Sequence, residues 1–127
     1  MPEFKNTIWL RISGTCGFLA PIVAFAFILL AVASHPGFSW ADNALSDLGV
    51  VSGVTGVLFN SGLIVSGALC CVFATGLFVF LGERAVGRMG AFVLVLASLA
   101  LVAIGVFPES VRSVHYFVSV MFFVLLP

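Results

Sequence analysis

Six side chains of types that bind metals, move protons or pair with charged ligands fall at one membrane level in this 127-residue chain: His35, Asp42, Asp47, Glu109, Arg112 and His115. Carboxylates and imidazoles gathered at one level can hold a divalent cation or act as a general acid and base. A structural reading fits the same residues, because connecting loops in water are polar and Glu109 can pair with Arg112. No H-E-x-x-H or other ligand spacing is present, and neither is a nucleophile elbow, a phosphate loop or a dinucleotide fingerprint. Two histidines also raise haem ligation, but His35 precedes Pro36 at a helix end, a poor platform for an axial ligand. No cofactor is therefore expected. A seventh residue, Asn60, lies inside an apolar run, where an amide either ties helices together or lines a path for a substrate or ion.

The elements that position these residues are written in the composition. Hydrophobic residues make up 62% of the chain and charged ones only 8%, against roughly 25% charged in a soluble domain. Mean hydropathy is +1.30, and no water-soluble fold hides that much apolar surface. The expected class is an all-α, polytopic transmembrane helix bundle in a single domain, 1–127. Net charge is zero and no basic block occurs, so the partner is a lipid bilayer and not nucleic acid. Cys16, Cys70 and Cys71 lie in apolar runs without C-x-x-C spacing and read as packing residues.

Apolar runs place spans at 12–33, 54–81 and 89–107, with a fourth segment at 114–127. The first contains Pro21, whose missing N–H predicts a bend. Ala31-Val32-Ala33 imitates a signal-peptidase site, but the run is too long for a signal peptide and reads as an uncleaved span. The second carries small residues in two stripes, Gly56-Asn60 with Gly67 and Gly62-Ser66-Cys70, and is the expected centre of the bundle. The fourth rises only ~20 Å against a hydrocarbon core of ~30 Å, which reads as a truncated helix of a longer protein, the alternative being a short re-entrant segment. Missing C-terminal helices or another membrane subunit would then be partners.

Lys5, Arg11, Arg84 and Arg88 flank one side and only Arg112 the other. That asymmetry puts the N-terminus and the 82–88 turn in the cytoplasm of a cell-membrane protein, with the 34–53 and 108–113 loops outside. The longest polar interruption is Ser39–Gly49. Its Ser39-x-x-Asp42 fits a capping signature, and Trp40, Ala41, Ala44, Leu45 and Leu48 share one side of a helix over 40–48. A short interfacial helix is predicted there, with Trp40 at headgroup depth and the acids on the opposite side.

Three stretches, Ala41-Asp42-Asn43-Ala44-Leu45-Ser46-Asp47-Leu48-Gly49, Phe59-Asn60-Ser61-Gly62-Leu63-Ile64 and Phe107-Pro108-Glu109, together with His115, resemble a prokaryotic integral-membrane family catalogued as domain of unknown function 998. The resemblance spans nearly the whole chain and implies a bundle of about six helices without an assigned reaction. Ser46-Asp47-Leu48-Gly49 before the second span is also similar, more faintly, to the DRAM/Sfk/Frag membrane proteins, a group connected with lipid handling. That likeness implies roles for Asp47 and Glu109. The functional motif is thus expected to comprise Asp42, Asn43, Ser46, Asp47, Asn60, Glu109 and His115. The expected function is recognition of a ligand or partner at an outward polar surface. The alternatives are a membrane hydrolase or lipid-modifying enzyme using Asp47, Glu109 and His115, and a transporter or sensor with Asn60 on its path.

Overall fold

A computed structural model describes residues 2–127, with side chains from Asn6 onward. Helix α1 spans Pro2–Ala33, α2 Val54–Leu81, α3 Ala85–Val106 and α4 Arg112–Leu125, and a 3-10 helix occupies Leu45–Val50. No strand occurs among the described residues. Three segments, Asn6–Ala33, Val54–Leu81 and Ala85–Val106, are long and apolar enough to cross a membrane. The shortest of them, 22 residues, rises ~33 Å at ~1.5 Å per residue. The protein is an all-α polytopic membrane bundle.

Consecutive helices run antiparallel, and side-chain contacts fix their register. Along α1 and α2, Ser13 meets Gly76, Phe27 meets Gly62 and Ser34 meets Thr55. At Gly62 a β-carbon would collide with the Phe27 side chain, so the absence of one is what lets the backbones approach. Without a hydrophobic drive between helices in lipid, such packing and a few polar bonds hold the pair. Ser66 donates to Ala20 O at 2.8 Å, one residue before Pro21, and α1 continues as helix through that proline. Between α2 and α3, Asn60 O abuts Gly105 at one end and the Arg88 guanidinium lies 4.4 Å above the Phe78 ring at the other. Gly82 ends α2 with φ of 54°, a left-handed conformation suited to glycine. The two predicted stripes on α2 divide differently from their spacing: Gly62 and Ser66 face α1, Gly67 faces α3, and Gly56 abuts Val51.

One cluster closes the end of the bundle where α1 ends and α2 begins. Ala31, Leu48, Phe59, Leu63 and Ile104 are buried together, with Val118 and Phe122 of α4 packed against them. Leu48 comes from the 3-10 helix and is wholly inaccessible. The connector is therefore inserted into the bundle, and the interfacial helix expected over 40–48 does not form. Residues 40–42 are turns, the helical hydrogen bonding starts at Leu45, and Trp40 is exposed with its ring edge-on to Phe38.

Candidate functional site

The Ser39–Gly49 connector is a ladder of side-chain to backbone bonds. Asn43 Oδ1 accepts from Ser39 N at 2.9 Å, and Ser39 Oγ donates to Asp42 Oδ2 at 2.7 Å. These local bonds compete with helix and explain why the chain turns here instead. The capping role falls five residues later than the sequence signature suggests. Asp47 Oδ2 accepts from Ala44 N at 3.0 Å and from Asn43 Nδ2 at 3.3 Å, reaching back to the residue before the 3-10 helix. Asp47 so anchored drives Leu48 into the core and brings Gly49 under α2. There Asn60 Nδ2 donates to Gly49 O at 2.9 Å, and a β-carbon on Gly49 would stand 2.7 Å from Asn60 Oδ1.

Asn60 thus joins the connector to α2. It is partly accessible, and the buried polar side chains are Ser13, Thr55, Ser66, Ser98 and His115. Asn60, though inside an apolar run, is less buried than these side chains for a physical reason. Ser13 and Ser98 donate to carbonyls of their own helix, Leu10 O and Leu94 O, so a small hydroxyl is buried without needing a partner helix.

A cavity of about 990 Å³ opens at the same end of the bundle. α1 packs on α2 and α4 on α3, and the cavity lies between α1 and α4, which pack little against each other. Its walls are apolar: Ala24 and Ile28 from α1, Phe59 and Leu63 from α2, Leu101 and Ile104 from α3, Phe122 and Phe123 from α4. Its polar end gathers Ser46, Glu109, Arg112, Ser113, His115 and Tyr116. The Phe107–Val111 turn places Glu109 above it, and α4 starts at Arg112, so the first turns of that helix present the remaining groups.

One acceptor here is buried without a donor. Glu109 Oε2 is out of contact with solvent and has no hydrogen-bond partner. His115 is buried, and its Nδ1 is 2.8 Å from Phe107 O. A carbonyl only accepts, so Nδ1 carries a hydrogen; in a neutral ring Nε2 would then be an acceptor.

Of the sequence candidates, Ser46, Glu109, Arg112 and His115 line this cavity, whereas Asp42, Asn43 and Asp47 do not. Asp42 and Asn43 are exposed, and His35 sits at the end of α1, beside Gly37. No group of three or more His, Cys, Asp or Glu that can hold a metal ion exists among the described residues. Ser113, Tyr116 and Ser119 escaped sequence reasoning. Their signal was present: Arg112, His115 or Tyr116, Ser119 and Phe122 or Phe123 recur at spacings of three and four, one face of a helix.

A family model described as a protein of unknown function (DUF998) matches residues 18–127. No curated protein and no solved structure matches the chain.

Proposed function

Since the chain belongs to the DUF998 family of unassigned function, we propose that it is a membrane-embedded binding protein for an amphipathic ligand, held in the cavity between α1 and α4. The observation that supports this is the division of the cavity's lining, oily along the helices and polar at one end. About 990 Å³ is at the top of the ~300–1,000 Å³ typical of small-molecule sites. An amphiphile lying in the bilayer meets both chemistries without leaving its own orientation.

The hydrolase alternative has less behind it. Asp47 Oδ2 is engaged by Ala44 N and Asn43 Nδ2, and Asp47 does not line the cavity that Glu109 and His115 line. His115 Nδ1 is engaged by a backbone carbonyl, where a catalytic dyad would hold a carboxylate.

The test is a photo-crosslinking side chain at Ser119, on the cavity wall, in protein reconstituted in lipid vesicles. Labelling of lipid is expected, and Ala24→Phe, which projects a ring into the open space, is expected to reduce it severalfold while helix content is kept. Labelling of a polypeptide helix, or labelling indifferent to Ala24→Phe, would refute the reading.

A further inference from the structure

The polar end of the cavity specifies more than an amphiphile. Resting on the binding role proposed above, we infer that the ligand is an amine-bearing zwitterionic phospholipid, with its ammonium on Glu109 and His115 and its phosphate on Arg112.

Three groups lead to this. Glu109 Oε2 is a buried oxygen without a donor. A carboxylate accepts only, and an unmade bond at such an atom is costly, so a ligand that brings N–H groups is favoured there. His115 Nε2 makes no hydrogen bond, since the ring's one polar contact is Nδ1 to Phe107 O. In a neutral ring Nε2 would be a second acceptor for the same ligand. Arg112 lines the same space and is exposed, with a guanidinium matched to phosphate geometry. A primary ammonium has three donors to distribute between the two acceptors. A trimethylammonium head has the charge and none of the donors, and a head with phosphate alone leaves Glu109 facing like charge. Acyl chains then run along Leu63, Ile104 and Phe122, as in the surrounding bilayer.

The experiment is native mass spectrometry of the full chain released from micelles holding equal amounts of phosphatidylethanolamine and phosphatidylcholine with identical acyl chains. The wild type is expected to retain the ethanolamine lipid about tenfold over the choline lipid, the ratio given by ~1.4 kcal/mol from one charge-assisted hydrogen bond. Glu109→Gln, near-isosteric, is expected to bring that ratio close to one. Arg112→Ala is expected to lower retention of both lipids several-fold with the ratio kept. Equal retention by the wild type, or a tenfold ratio surviving Glu109→Gln, overturns the headgroup assignment. If that equal retention is still abolished by Ala24→Phe, the binding role stands without it. Retention of neither lipid overturns both.

Discussion

Asp47 and Asp42 lie five residues apart in one connector and differ in what they hold. Asp47 Oδ2 accepts from Ala44 N and Asn43 Nδ2, at 3.0 and 3.3 Å, whereas Asp42 Oδ2 accepts from the Ser39 hydroxyl alone, at 2.7 Å. A hydrogen bond to a charged group contributes about 1.5–3 kcal/mol when shielded. Asp47 is only partly buried and both bonds are exposed, so the two together are discounted to ~0.5–2 kcal/mol, the range found for loss of a helix cap. Asp42→Ala belongs with exposed substitutions, within ~0.5 kcal/mol of neutral. The consequence reaches further than the loop, because Leu48 follows Asp47 directly and occupies the core. The assay is unfolding by sodium dodecyl sulfate in mixed micelles, followed by circular dichroism, for Asp47→Ala, Asp47→Asn and Asp42→Ala. Asp47→Ala is expected to lose the most, Asp47→Asn about half as much because its amide oxygen still accepts, and Asp42→Ala the least. Equal losses at the two positions would refute the anchoring role of Asp47.

Two further substitutions test the packing. Leu48→Ala opens a void beneath a residue of zero exposure and is expected to cost ~2–5 kcal/mol in the same assay; a loss under ~1 kcal/mol would show that the connector does not close the bundle. Gly62→Ala drives a methyl into Phe27, while Gly14→Ala on α1 meets nothing within 4 Å. The first is expected to destabilise by ~1–3 kcal/mol and the second to be neutral or stabilising, and equal effects would contradict the α1–α2 register.

The bundle was legible because its signals are additive: long uncharged runs, charged turns and small residues at helical spacing. The connector was not, because its sequence offers two capping acids, and choosing Asp47 over Asp42 depends on Leu48 finding a tertiary pocket among Ala31, Phe59, Leu63 and Ile104. Sequence placed Glu109 and His115 at one membrane level, and both line the cavity. It also grouped Asp42 and Asp47 with them, since loops at one face share a level without sharing a site. The cavity itself is a gap between helices distant in sequence, and no periodicity in either helix reports a gap.

The most direct measurement of the central claim is a nuclear Overhauser experiment on methyl-labelled protein in deuterated micelles doped with protonated phosphatidylethanolamine. Leu63 and Ile104 are only 6% and 8% exposed and face the cavity, whereas Leu29 and Leu30 are on the outer surface at 56% and 54%. Cross-peaks from acyl-chain protons to the Leu63 and Ile104 methyls, with headgroup protons reaching Tyr116, are the expected result. Cross-peaks confined to outward methyls such as Leu29 and Leu30 would contradict the account.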